Sequence, residues 1–181
     1  MTAELARSRL PAEALVIEMT EDAFACDGPG VSDVLRQLND IGVRSAIDDF
    51  GTGYSSLAYL KQLPVSIIKL DRSFVAGLGS KGSDDAIVAL AVDLGHQFGL
   101  TVIGGGVETA VQFDALRRHG CDAAQGYWIC RPGPGSAITG WLARKTTERA
   151  PQSSRHLRVV GATNDPAEQT SGVLDDRDRG L

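Results

Sequence analysis

The sequence predicts an α/β fold in which parallel strands alternate with helices, as an open sheet or a barrel. Two observations predict it: short apolar runs alternate with longer segments of helical periodicity, and polar residues gather where the apolar runs end. The composition agrees, because 181 residues with 43% hydrophobic and 23% charged side chains are ordinary for one globular domain. In parallel barrels the chemistry lies at the C-terminal ends of the strands, so a site is expected there.

The first part of the chain contains two strand-and-helix units. A helix is predicted over residues 2–8, and the apolar run 14–17 then predicts a buried strand because it is short and bounded by charges. Residues 30–41 predict an amphipathic helix, since their apolar side chains recur at helical spacing. The run at 43–47 predicts the second strand, and residues 55–61 predict the helix that follows it.

The second part of the chain repeats this alternation. Glycine directly follows two of its helical segments, where a residue that tolerates positive φ ends a helix well. In the last helical segment the apolar side chains fall on one face. The predicted strands cover 65–68, 100–103 and 122–124, and the predicted helices cover 84–98, 110–119 and 135–144.

The composition changes after the last predicted helix. Beyond about residue 145 the chain is rich in Ser, Arg, Asp, Gly and Pro and poor in apolar side chains, which is typical of disorder. We therefore divide the chain into one domain over residues 1–148 and a disordered tail over residues 149–181.

Charge and hydropathy exclude several classes of partner. The net charge is −5 and no basic patch is evident, so nucleic acid is not an expected partner. No apolar run reaches the roughly 20 residues that a membrane span needs, and the N-terminus lacks the pattern of a signal peptide. We therefore expect a cytoplasmic protein without a membrane partner. The three cysteines include no CxxC pair, which argues against a disulfide framework or a zinc site.

The most informative stretch is DDFGTGYSS, which begins at Asp48 at the end of the second predicted strand. Asp48 and Asp49 raise each other's pKa unless a cation lies between them, so the pair predicts a metal. Glycines then allow a sharp turn, and Thr52, Ser55 and Ser56 offer donors at a helix start that suit a phosphate oxygen. An isolated Asp-Asp-x-Gly is more often a capped turn, whereas nine such residues in a row are a stronger signal.

Polar residues also follow the other predicted strands. Any one of them alone is explained as a helix cap or a solvated loop residue. Five strand ends in register are hard to attribute to chance, and together they predict a converging set of acids with one cation. The set consists of Glu18, Asp48 with Asp49, Lys69 with Asp71, Glu108 and Gln125.

Over about residues 5–144 the chain resembles the EAL-domain family of bacterial cyclic di-GMP phosphodiesterases. The motifs appear in the family's order: IEMTE from Ile17, the stretch from Asp48, IKLDRSFV from Ile68, GVET from Gly106 and QGY from Gln125. The resemblance implies a TIM-type (β/α) barrel of the EAL kind that lacks its first units, with about five parallel strands. It also implies hydrolysis of cyclic di-GMP to linear pGpG with Mg²⁺ or Mn²⁺.

The resemblance assigns roles to residues of this chain. Glu18 and Asp48 would be metal ligands, Asp49 would hold a second ion, and Lys69 would lie beside the attacking water or a phosphate oxygen. Lys69 and Glu108 are the catalytic candidates. Two ions supply a metal-bound hydroxide and offset the developing negative charge, and carboxylates suit hard cations. Loop support or substrate binding is implied for Glu21, which would brace the loop after Asp48, and for Thr52, Ser55, Ser56, Asp71 and Gln125.

Two departures from the family pattern weaken the expected activity. Gly104 and Gly105 stand where the family has Ala-Glu, and Gly105 has no side chain to bind metal or act as a base. The family's domain also begins upstream of the first strand predicted here. That upstream part contains a Glu ligand and an Asn ligand that this sequence does not contain. The exposed strand edges that result invite pairing with another chain.

Three interpretations of the function follow from these departures. The first is a working cyclic di-GMP phosphodiesterase, although we expect the hydrolysis to be lost or strongly impaired in this chain. The second is a module that binds a ligand or a protein without turnover, and the third is a remnant of a longer phosphodiesterase with no retained function. The expected partners are cyclic di-GMP, bound weakly, and a second copy or another chain that completes the barrel.

Overall fold

The computed structural model describes residues 1–21, 23, 29–53, 60–61, 63–79, 83–147, 158–160 and 171–173. Most of the helix predicted at residues 55–61 lies outside these described residues. Ser55 and Ser56 also lie outside them.

The described strands form one sheet whose order follows the chain. The first six strands pair in parallel with their neighbours, and the last pairs antiparallel with the sixth. The predicted α/β fold with parallel strands is therefore confirmed. The strands are β1 Val16–Thr20, β2 Arg44–Phe50, β3 Ile67–Leu70, β4 Thr101–Gly104, β5 Ala123–Ala124, β6 Arg158–Val160 and β7 Ser171–Val173.

Among the described residues, helices lie in the connections from β1 to β2, from β3 to β4, from β4 to β5 and from β5 to β6, as is usual between parallel strands. One short helix, α3, was not predicted; it begins after Asp71, whose side chain accepts a hydrogen bond from the Ser73 backbone N–H and so caps it. The helices are α1 Thr2–Ser8, α2 Pro29–Asp40, α3 Arg72–Ala76, α4 Asp84–Gln97, α5 Ala110–Arg118 and α6 Gly135–Thr147, with a 3₁₀ turn at Ala12–Ala14.

The first strand differs from its prediction. Residues 12–14 form the 3₁₀ turn after Pro11, and β1 runs from Val16 to Thr20, so that Glu18 lies inside the strand instead of at its end. The strand is also half-buried and not fully buried. The physical reason is its position, since β1 is an edge of the sheet and pairs only with β2 among the described strands.

The predicted tail, residues 149–181, includes two short strands. β6 pairs with β5, and β7 pairs with β6. The remaining residues of this stretch lie outside the described part of the chain, so the division into a domain and a disordered tail stays a prediction.

The two faces of the sheet carry different apolar layers, because successive side chains of a strand point to opposite faces. One face packs on the helices through Ile47, Ile68 and Val102, which are almost completely buried. The other face carries a smaller layer, here called the inner apolar layer, formed by Ala46, Ile67, Ile103 and Ala123 with Val16 against them.

Candidate active site

The side chains of the candidate site lie directly above the inner apolar layer. Each stands two residues beyond a member of that layer, and the two-residue period of a strand therefore places it on the same face, nearer the C-terminal end. We call this set the polar layer. It consists of Glu18, Asp48, Lys69, Gly105 and Gln125.

Lys69 is the centre of the polar layer. Its side chain is only 8% exposed, and its Nζ donates to Glu18 Oε2 at 2.7 Å and lies 3.1 Å from Asp48 Oδ1. A buried ammonium is costly unless it is paired, and these carboxylates supply the pairing. Burial by itself lowers the pKa of Lys69, but the hydrogen bonds and negative charges of Glu18 and Asp48 outweigh it and raise the pKa above its usual value. The lysine is therefore charged in the folded protein.

A second acidic pair lies beside this cluster. A register irregularity in β2 between Ile47 and Phe50 accompanies a positive φ of 55° at Asp49. Burial first, and then the charges of Asp48 and Asp71 and a hydrogen bond to Asp71, raise the pKa of Asp49. The pKa of Asp71 is lowered instead, because hydrogen bonds from Ser73 and Arg72 and from Asp49 outweigh the effect of burial.

The loop after β2 is held by a buried carboxylate. Glu21 is 5% exposed, and its Oε2 accepts hydrogen bonds from the backbone N–H groups of Gly51 at 3.0 Å and Gly53 at 3.3 Å. Thr52 is exposed, and its hydroxyl donates to the Asp49 carbonyl at 2.9 Å. The turn is thus fixed from inside by Glu21 and locally by Thr52.

A cavity of about 500 Å³ opens at the C-terminal ends of β2 to β5. Glu108 is an exposed residue on its wall, and the Glu108 backbone N–H donates to Gln112 Oε1 at 2.7 Å, beside the capping box that begins α5. Gln125 is half-buried, and its backbone pairs with Gly104 and Val107. The cavity is lined by Asp48, Asp49, Lys69, Leu70, Asp71, Arg72, Gly105, Gly106, Glu108, Gln125, Gly126, Tyr127, Cys130 and Pro132.

Gly105 occupies the polar layer without a side chain. Its N–H donates to the Leu70 carbonyl at 3.1 Å, and a Cβ at this position would lie 2.8 Å from that carbonyl oxygen. A Cβ at Gly104 would lie 2.4 Å from a methyl carbon of Leu116. The backbone of β3 and the side chain of Leu116 on α5 therefore approach Gly105 and Gly104 closely.

The acidic side chains have the chemistry of a hard-cation site but not the full arrangement. Within the residues that the structure describes, no three or more His, Cys, Asp or Glu side chains are grouped so as to hold a metal ion. Glu18 and Asp48 both contact Lys69, and Asp49 pairs with Asp71. The three predicted ligands Glu18, Asp48 and Asp49 are therefore not brought together as one set.

Sequence reasoning missed one residue of the cavity wall. This is Arg72, which follows the cap residue Asp71 and enters the cavity wall because α3 begins there. Tyr127, which belongs to the QGY motif, also lines the cavity; it is 55% exposed and has the guanidinium of Arg131 4.9 Å from its ring centroid. The sequence signal for Arg72 was the Asp-x-Ser pattern, which is typical of a helix start.

The fold and the site define a class of protein: a parallel α/β sheet of the (β/α) barrel kind with a polar cluster and a cavity at the strand ends. The EAL domain family model matches residues 1–132, and the chain belongs to this family. No helix within the described ranges is long and apolar enough to cross a membrane.

Named relatives share this family. The chain is 42% identical over 139 residues to the bifunctional diguanylate cyclase/cyclic di-GMP phosphodiesterase MucR of Pseudomonas aeruginosa, covering 77% of this chain and 20% of MucR. The solved MucR phosphodiesterase in complex with cyclic di-GMP has a TM-score of 0.70, with 76% of this chain and 56% of that chain covered. This chain therefore spans a small part of the length of its curated relative.

Two further solved structures have the same fold. The EAL domain of Mycobacterium smegmatis DcpA has a TM-score of 0.74 at 42% identity, with 82% of this chain and 66% of that chain covered. A Klebsiella pneumoniae BlrP1 complex with manganese and cyclic di-GMP has a TM-score of 0.67 at 33% identity, with 71% of this chain and 33% of that chain covered.

Proposed function

We propose that this chain binds cyclic di-GMP at the cavity above the polar layer and, by itself, hydrolyses it slowly or not at all. The observation that carries the proposal is the cluster of Lys69 with Glu18 and Asp48 on the cavity side of the sheet. Support comes from the MucR and BlrP1 structures, which are complexes with the same dinucleotide.

The reduced turnover follows from the donors that the chain offers. In the family reaction, divalent ions supply a metal-bound hydroxide and offset the charge of the phosphodiester. The described residues offer two carboxylates, Glu18 and Asp48, that meet at Lys69, and Gly105 adds none. A hard cation such as Mg²⁺ or Mn²⁺ is the proposed ion, with Glu18, Asp48 and Asp49 as the proposed ligands. It would be held weakly, because Glu18 and Asp48 already pair with Lys69. A dimer or a partner chain that adds donors at the β1 edge belongs to the same proposal, as does a cytoplasmic location.

The side chains at and around the cavity have different roles in the proposed function. Lys69 supplies a fixed positive charge near the ligand, and Glu18 and Asp48 keep it charged and oriented. Glu21 holds the loop after β2 so that Asp48 and Asp49 face the cavity. Glu108 and Gln125 form the opposite wall and exclude bulk water from part of the ligand.

A product assay tests the proposal. The purified chain is incubated with cyclic di-GMP and Mn²⁺, and pGpG is separated and counted, with the MucR phosphodiesterase domain as the positive control. We expect turnover at least about 100-fold below that control, since losing even a residue that supports a metal ligand costs 10- to 100-fold. Turnover equal to the control would contradict the proposal.

A binding assay separates the remaining alternatives. We expect cyclic di-GMP to bind the chain weakly and Asp48→Asn to weaken this binding further. Absence of binding to the wild-type chain, with and without Mn²⁺, would reject ligand binding and leave a protein-binding module or a remnant.

A further inference from the structure

We propose that Arg72 is a phosphate-binding residue of this cavity. This inference rests on the proposed function, because it assigns one side chain of that site to the anionic part of the ligand.

The cavity wall carries more acidic than cationic side chains. Four acidic side chains line the wall, against two cationic ones, Lys69 and Arg72. A cyclic dinucleotide carries two phosphate charges, and the net charge of −5 gives the chain no long-range attraction for it. Local cations must therefore compensate the ligand. The acidic residues are Asp48, Asp49, Asp71 and Glu108.

Lys69 is already committed to other groups. Its Nζ contacts both Glu18 and Asp48, and its side chain is 8% exposed. Arg72, in contrast, is exposed and forms no ion pair with any side chain in the described part of the protein. Its planar guanidinium can bind a phosphate with two parallel N–H donors. Arg72 is thus the cavity cation with unused binding capacity.

The backbone around Arg72 fixes where this side chain leaves the wall. Asp71 caps α3, and Arg72 is the first residue of that helix. On the other side Gly106, with a φ of 71°, lies so close that a Cβ there would be 2.4 Å from Arg72 Cβ and 3.2 Å from Arg72 Cα. Only a residue without a side chain fits this approach. The Asp71 cap and Gly106 therefore hold Cα and Cβ of Arg72 in place beside the cavity.

The test is a titration of cyclic di-GMP into the 181-residue chain and three variants. Arg72→Ala removes the charge and the donors, and Arg72→Lys keeps the charge. Arg36→Ala is the matched control, because Arg36 is an exposed arginine paired with Asp33 on α2 and does not line the cavity. Circular dichroism and a urea melt establish that each variant is folded.

We expect Arg72→Ala to raise the Kd about tenfold or more, since hydrogen bonds to charged groups are the stronger class. We expect Arg72→Lys to give an intermediate Kd and Arg36→Ala to match the wild type. Added salt should weaken the wild-type complex more than the Arg72→Ala complex, because a charge contact is screened.

Three results would overturn the inference. One is a Kd for Arg72→Ala within twofold of the wild type while Asp48→Asn weakens binding, which leaves the proposed function intact. Another is an equal weakening of the wild-type and Arg72→Ala complexes by added salt, which excludes a charge contact at Arg72. The third is absence of binding to the wild-type chain, which removes the proposed function as well.

Discussion

The two sides of the cavity differ in what their strands contribute at the same level. On the side of β1 to β3, Glu18, Asp48 and Lys69 form a compact cluster of one cation and two carboxylates. On the side of β4, the polar layer has Gly105 and no functional group. The difference shows that strand register fixes where a side chain stands, whereas the residue type decides whether that strand end has any chemistry.

The largest expected effect comes from neutralising the charged side. The double change Glu18→Gln and Asp48→Asn leaves the buried ammonium of Lys69 without a carboxylate partner. We expect a loss of about 3 kcal/mol in the free energy of unfolding, at the lower end for broken buried pairs because the carboxylates are partly exposed. Urea denaturation measures it.

The control for this change is Glu108→Gln, which neutralises an exposed carboxylate on the same cavity. It should change the free energy of unfolding by less than about 0.5 kcal/mol. Equal losses for the double variant and the control would mean that the Lys69 cluster carries no special stability.

The next prediction adds one carbon to the β4 side of the cavity, at Gly105. Gly105→Ala should lower the free energy of unfolding by about 1 to 3 kcal/mol. Its Cβ would lie 2.8 Å from the Leu70 carbonyl oxygen, so the backbone must shift to accept it. Gly133→Ala is the comparison, since its Cβ would make an ordinary contact with Ala137 at 3.7 Å. If thermal melts show Gly105→Ala as stable as Gly133→Ala, then β4 has room for a side chain.

The loop after β2, which follows Asp48 and Asp49, depends on Glu21. Glu21→Ala removes the acceptor for the Gly51 and Gly53 N–H groups and should cost about 1 to 2 kcal/mol. Amide hydrogen exchange should speed up at Gly51 and Gly53 in this variant. Thr52→Ser, which keeps the hydroxyl that donates to the Asp49 carbonyl, should leave both rates nearly unchanged, and a similar acceleration in that variant would indicate general loosening of the loop.

The smallest expected effect lies outside the cavity, where Asp85 pairs with His119 at 2.8 Å and so links α4 to α5. Hydrogen bonds from His119 and from the Gly79 N–H lower the pKa of Asp85 below 3.8. A carboxyl whose pKa is lowered on folding adds stability above its unfolded pKa, and this contribution is lost as the pH falls through the folded value.

The variant Asp85→Asn should therefore be less stable than the wild type near neutral pH, and the difference should shrink as the pH falls below 3.8. Urea melts at a series of pH values measure it. A difference that is constant with pH would exclude the pair as its cause.

The sequence predicted the alternation of strands and helices because apolar periodicity and glycine stops are local signals. It placed Glu18 and Lys69 at strand ends, although Glu18 lies inside β1. Their two-residue offset from the inner apolar layer explains why they meet. It could not show that Lys69 would lie between Glu18 and Asp48, because that contact joins residues on different strands. The edge position of β1 and the turn of Asp49 toward Asp71 also depend on tertiary structure, so they were not predictable from local pattern.

The central claim is that Asp48 and Lys69, the latter paired with Glu18, form one wall of a cyclic di-GMP site. Calorimetric titration of the ligand into the wild-type chain and into Lys69→Met tests it most directly, with circular dichroism to verify folding. The account predicts a measurable heat of binding for the wild type and none for the folded Lys69→Met variant. Equal affinities for the two folded proteins would contradict it.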